Sequence, residues 1–117
     1  MKVTEPTDTI NATAGATFAY NGEARLVHNA ETVIDYTGWG IACHIRDHRG
    51  KLLSEVTCAW SDATRGLFTL TVAKADTVAW QPGRYYTDIQ FTTPDGSVSV
   101  NTPPTTVIVR AGITHDV

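Results

Sequence analysis

No hydrophobic run in this 117-residue chain is long enough to cross a bilayer, and no apolar stretch follows the single Lys of its first ten residues, MKVTEPTDTI. Neither a membrane span nor a secretory leader is expected, so the chain is expected to be made in a cytoplasm and to stay soluble. An excess of basic residues is also missing. Nine Lys and Arg face twelve Asp and Glu, a net charge of −3 with the four His neutral. A nucleic-acid partner is not expected, because phosphate binding needs a basic surface. There are no internal repeats, linkers or low-complexity segments, and no amphipathic helix of useful length. Charged residues are 18% of the chain and apolar residues 42%, as in a folded domain rather than a disordered one. One domain over residues 1–117 is the expected organisation.

Cysteine is scarce as well, with two in the chain. Suppose that residues 39–46 and 51–60 form a hairpin closed by Asp47-His48-Arg49-Gly50. Arg46 then faces Lys51, which sets Ile45 opposite Leu52, Cys43 opposite Ser54, Ile41 opposite Val56 and Trp39 opposite Cys58. Nearly all of these are apolar and share one face, so the register supports itself. Cys43 and Cys58 are then offset by four positions, roughly 13 Å along the strand. A disulfide needs Cα atoms closer than about 7 Å, so both are expected to be free, buried thiols in a reducing compartment.

What the chain does have is strands and turns. From Trp80 to Val98 the sequence WQPGRYYTDIQFTTPDGSV contains a Pro-Gly turn, a strand, a second turn at Pro94-Asp95-Gly96 and a returning strand. Tyr85, Thr87, Ile89 and Phe91 fall on one side of the strand, with Tyr86, Asp88 and Gln90 on the other. With Thr93 facing Gly96, Phe91 meets Val98 and Ile89 meets Val100. Leu67–Val72 sets Leu and Thr against Phe68, Leu70 and Val72, and Thr105–Arg110 is a β-branched run suited to a final strand. Asp8–Thr13 is expected to be the first strand. Thr17–Tyr20 and Ala24–His28 flank Asn21-Gly22, either a hairpin turn or, because Phe18 would oppose Arg25, a bulge. Ala73–Trp80 has room for one helical turn. Pro103-Pro104 suggests an edge or a change of sheet before the last strand.

About seven to nine short strands, with turns every 8–12 residues or so, predict an all-β, immunoglobulin-like antiparallel β-sandwich. Gly83-x-Tyr85 at the start of a late strand suits a corner in which the phenol bonds to upstream backbone. Trp39, opening a central strand behind Gly38, suits a buried core tryptophan.

Catalytic chemistry finds little support. His44 and His48 lie four apart, but the turn takes His48 off the ladder and no third ligand is implied. Two solvent-facing histidines are therefore expected, with no metal and no cofactor. Asp88 has no second carboxylate or base at a fixed spacing. Ser54, Ser61, Ser97 and Ser99 occupy no nucleophile elbow. Asn11-Ala12-Thr13 matches a glycosylation sequon, which has meaning only under secretion. Trp60, Trp80, Tyr86 and Tyr36 are candidates for a sugar-stacking platform or a protein interface, although the parity of Trp60 places it at the core or its edge. Tyr86 is the best candidate for an exposed aromatic.

The runs IDYTGWGIACHIRDHRGKLL (34–53), GLFTLTV (66–72), DTVAW (76–80) and GRYYTDIQFTTPDGSV (83–98) resemble small immunoglobulin-like proteins of tailed phages, including the N-terminal domain of baseplate upper proteins. The resemblance runs from about Gly15 to Val109. It implies a non-enzymatic virion structural or assembly protein of the tail, neck, baseplate or capsid decoration. Such a protein is made in the host bacterial cytoplasm and carried in the virion. It contacts other virion proteins as a homo-oligomer or repeated array, with no nucleic acid and no membrane. The carried-over positions are fold residues: Gly38, Trp39, Gly83, Tyr85 and Asp88. Baseplate upper proteins continue into further domains whereas this chain stops at Val117, which points to a free-standing component. Tyr86, Asp88 and Gln90 are the expected interface. The strands near Thr102–Thr106 offer an edge for a neighbour. The rival expectation is a carbohydrate-binding or adhesion module using exposed aromatics.

Overall fold

The computed structural model describes residues 9–28 and 30–112. Asp8, where the first strand is expected to begin, lies outside the described residues. Among those described, ten strands follow in chain order: β1 (Ile10–Thr13), β2 (Phe18–Glu23), β3 (Val27–His28), β4 (Glu31–Thr32), β5 (Gly40–Arg46), β6 (Leu52–Asp62), β7 (Leu67–Val72), β8 (Gly83–Thr92), β9 (Ser99–Asn101) and β10 (Thr105–Arg110). One helical turn, α1 (Lys74–Thr77), separates β7 from β8. Strand makes up 55% of the structure and helix 7%, so the expected all-β sandwich is the fold.

The strands run in the order β1-β10-β8-β5-β6-β7-β2, with β9 also paired to β8 and β3 paired to β4. One pair, β1 with β10, is parallel, a departure from a wholly antiparallel sandwich. The long strand β6 divides its pairing. Leu52–Val56 pairs with β5, and Thr57 onward pairs with β7. It thereby turns the corner from one sheet to the other, and the core fills the space between.

Alternation explains which faces are buried. Phe68, Leu70 and Val72 of β7 point inward and are at most 5% exposed. Each contributes roughly 1.5–3 kcal/mol relative to an exposed position. The opposite sheet supplies Cys43, Ile45, Phe91, Val107 and Val109. The expected bounds of β7 and β10 match the structure, and α1 lies within Ala73–Trp80.

Both long hairpins slip by two residues and keep the expected faces except at Leu52, which pairs with outward-facing Arg46 and is 41% exposed, and at Val98, which is 38% exposed. In the first, the loop is His48-Arg49-Gly50, with Asp47 N–H bonded to Lys51 O at 2.9 Å. The Asp47 carboxylate accepts from the N–H groups of Arg49 and Lys51. A bulge then shifts the ladder between Ile45 and Arg46, so Ile45 faces Ser54 and Cys43 faces Val56. In the second hairpin, Thr93 N–H meets Val98 O at 2.9 Å, and Phe91 pairs with Val100 rather than Val98. Away from the bulge, a two-residue slip leaves the alternation of side chains unchanged, which is why the hydrophobic pattern could not detect it. At the bulge Leu53 rather than Leu52 packs against the core.

Other expectations are corrected. Asn21-Gly22 is neither a turn nor a bulge. It lies inside β2, with Asn21 opposite Thr69 and Gly22 opposite Phe68. A Cβ on Gly22 would sit 2.3 Å from Cζ of Phe68, so glycine is there to let the ring lie across the strand. Val107–Arg110 lies between β8 and β1, but beside Pro103-Pro104 both Thr105-Thr106 and β9 pair with β8 alone among the described residues, so the expected edge is confined to that stretch. There β9 and β10 run end to end along β8, and the prolines interrupt them where Thr102 bonds Ile89 through N–H and hydroxyl.

Trp39 is not the buried tryptophan. It stays half-buried before β5, while Trp80 is 4% and Tyr36 1% exposed. The Tyr36 hydroxyl accepts the buried Leu26 N–H at 2.9 Å, and the ring stacks on Trp60 at 5.3 Å between centroids. Gly38 holds φ +85° with Pro94 beside it, which fits a residue without Cβ at the turn into β5. Gly83 opens β8, and Tyr85 donates its hydroxyl to Gln81 O at 2.8 Å, forming the expected corner.

Candidate functional site

The outward faces of β5 and β8 bring together residues far apart in sequence. Their register pairs Ala42 with Gln90, His44 with Asp88 and Arg46 with Tyr86. The expected interface residues Tyr86, Asp88 and Gln90 therefore share one surface with Ala42, His44 and Arg46, and β9 adds Asn101 opposite Gln90. Because Ala42 is small and the Asp47–Gly50 loop rises at one end, the surface is a shallow open groove of about 720 Å³.

Hydrogen bonds fix this surface. Arg46 donates Nη1 to Gly50 O at 3.0 Å, and its Nη2 lies 3.4 Å from Nδ1 of His44. Asn101 donates Nδ2 to Oδ2 of Asp88 at 3.2 Å, which gives Asp88 a neighbouring-strand partner. Gln90 Nε2 reaches Asn101 Oδ1 at 3.5 Å. Tyr86 is 36% exposed on this surface. Below the groove, Thr87 donates to His44 O at 2.8 Å and contacts Cys43 Sγ at 3.0 Å.

These groups offer hydrogen-bond donors, one carboxylate and an aromatic face. No nucleophile is activated among them. Burial raises the Cys43 thiol above its ordinary range, and burial followed by the nearby Cys43 pushes Cys58 up to about 11. Both remain protonated at neutral pH and are poor nucleophiles. Both are free, Cys43 buried and Cys58 half-buried. Because of the slipped register, their offset is two positions rather than four, roughly 7 Å along the strand. Among the described residues, no three His, Cys, Asp or Glu side chains gather as a metal site.

The four aromatic candidates separate. Tyr36 and Trp80 are buried, and Trp60 is half-buried against Tyr36, Phe68 and Phe91, which leaves Tyr86 at the surface. No stacking platform forms from them. Sequence reasoning missed His44, Arg46, Ala42 and Asn101 as members of this surface. Outward parity on the first hairpin would have singled out three of the four.

No protein-family profile matches the chain, and no curated protein matches it. Among solved structures, the chain is similar to CopC from Methylosinus trichosporium OB3b, with a TM-score of 0.51 and 16% identity. That likeness covers 96% of this chain and 95% of CopC. At such identity it shows that the chain has the β-sandwich fold, over nearly its whole length.

Proposed function

We propose that this chain is a non-enzymatic virion component of a tailed phage that acts through protein–protein contacts on the β5–β8 face. The observation that carries the binding role is the convergence of Tyr86, Asp88, Gln90, His44, Arg46 and Asn101 on one open surface. An exposed aromatic beside an arginine is the composition of an interface centre. The groove is too open to exclude water from a reaction. Support for the virion assignment comes from the resemblance of the Gly-x-Tyr-Tyr-x-Asp-Ile strand and Pro-Asp-Gly hairpin to small phage immunoglobulin-like proteins. Of the four aromatics considered for the carbohydrate reading, Tyr36, Trp60 and Trp80 pack inward and Tyr86 is exposed.

Mass spectrometry of purified particles of the phage encoding this chain tests the assignment. The chain is expected among the structural proteins, and its absence would overturn a virion role. Tyr86→Ala and Arg46→Ala are expected to reduce incorporation while the isolated variants keep wild-type circular dichroism. Unchanged incorporation of both would remove the β5–β8 face from the assembly.

A further inference from the structure

The change of sheet within β6 leaves part of that strand open. Leu52–Val56 has β5 on one side, and on the other no strand among the described residues pairs with it. β7 cannot cover it. β7 reaches back only to Thr57, paired with Thr71, and after Val72 the chain turns into α1. That turn is held away by Thr77, which donates to Ala16 O at 2.7 Å and accepts from Gly15 N–H at 3.2 Å. Trp80 anchors its far end, tilted on Phe18 at 6.0 Å. Between the strand edge and this turn lies a groove of about 670 Å³. Residues 52–57 form one side, and Asp76, Ala79 and Trp80 form the other. None of these residues lines the β5–β8 face.

We propose that this groove binds an extended segment of a partner protein in which basic side chains alternate with apolar ones, added as a strand to β6. An unpaired edge supplies main-chain donors and acceptors, and a flanking groove selects alternate side chains. Six strand residues span roughly 17 Å, the length of a short extended peptide. Leu52, in the lining, is 41% exposed and offers apolar surface to such a segment. The two charged side chains in the lining, Glu55 and Asp76, are both acidic, so a basic segment complements them. The same charge disfavours a second copy of this chain. Antiparallel pairing of two such edges about Glu55 would set one Glu55 directly against the other.

Titration of the isotopically labelled full chain with capped peptides, followed by amide chemical shifts and hydrogen exchange, tests this. A peptide of alternating Val and Lys, about eight residues long, is expected to shift and protect amides 52–57. It should bind about tenfold more tightly than its Val/Glu counterpart, since two exposed ion pairs replace two repulsions. N-methylation of alternate peptide nitrogens should abolish binding, and Glu55→Lys combined with Asp76→Lys should reverse the charge preference. Three results would overturn the proposal: no change at 52–57 with either peptide, equal affinity for both, or protection of 52–57 by self-association of the free chain. Virion incorporation reads the β5–β8 face separately, so failure of one surface leaves the other standing.

Discussion

Gly22 and Cys58 show how far single residues depend on neighbours distant in sequence. Gly22 looks like half of an Asn-Gly turn until Phe68 is placed across it. Gly22→Ala puts a methyl carbon where the ring lies, and Phe68, at 4% exposure, has little room to move. Destabilisation of about 1–3 kcal/mol is expected from the urea midpoint, with partial recovery in the Phe68→Leu background. No change in midpoint would mean that the ring slides aside. Cys58 carries a different consequence. Its folded-state value of about 11 stands above that of an unfolded thiol, near 8.5 or so, because burial disfavours the thiolate. The stability this contributes is complete below the unfolded value and is lost as pH rises toward the folded one. Alkaline denaturation is expected to begin in that window and to be blunted by Cys58→Ala. Thiol reagents at pH 8 should label the folded chain slowly and the unfolded chain quickly; fast labelling of the folded chain would contradict the burial.

At the scale of elements, the turns decide register. Asp95 closes the second hairpin by accepting from Thr93 Oγ1 at 2.7 Å, Ser97 N–H at 2.9 Å and Ser97 Oγ at 2.7 Å. The Thr93 hydroxyl bond, followed by those from Ser97, holds the Asp95 carboxyl down to about 2. A lowered folded value means the contribution is present above the unfolded carboxylate range, near 4 or so, and fades as pH falls toward 2. Asp95→Asn is expected to lower the melting temperature at pH 7 and to flatten its pH dependence across that window; an unchanged slope would show that the turn does not depend on the charge. The residues of this device, Thr-Pro-Asp-Gly-Ser, were legible as a turn. Its length was not, because the carboxylate spans four loop residues where Pro-Asp-Gly suggested fewer. The Asp47 loop behaves alike, and the bulge beside it adds the second step of the slip.

For the molecule as a whole, β6 is the shared element. Trp60, in its second half, packs on Phe68 of one sheet at 6.2 Å and on Phe91 of the other at 5.9 Å, and donates Nε1 to Trp39 O at 2.9 Å. Coupling through this ring predicts one cooperative unfolding transition, with far-ultraviolet circular dichroism and tryptophan fluorescence coinciding. Trp60→Ala is expected to cost about 3 kcal/mol, the low end for such truncations because the ring is half-buried. Separate transitions for the two probes would show that the sheets unfold independently. The same change of sheet opens the β6 edge beside α1, while the register of β5 on β8 assembles the outward face.

The sequence by itself determined the all-β class, the bounds of β7 and β10, the Tyr85 corner and the side of the strand on which Tyr86, Asp88 and Gln90 lie. These follow from period-two alternation and local turn chemistry, which act between residues close along the chain. Only the tertiary structure decided that Tyr36 is buried while Trp39 is not, that Gly22 accommodates a ring, and that His44, Arg46 and Asn101 join Tyr86 and Asp88. Each of these depends on which strand lies beside which and in what register. A slip of two residues preserves the alternation of faces along a strand, so hydrophobic patterning cannot distinguish the alternatives. Loop hydrogen bonds, a bulge and the shapes of buried rings can.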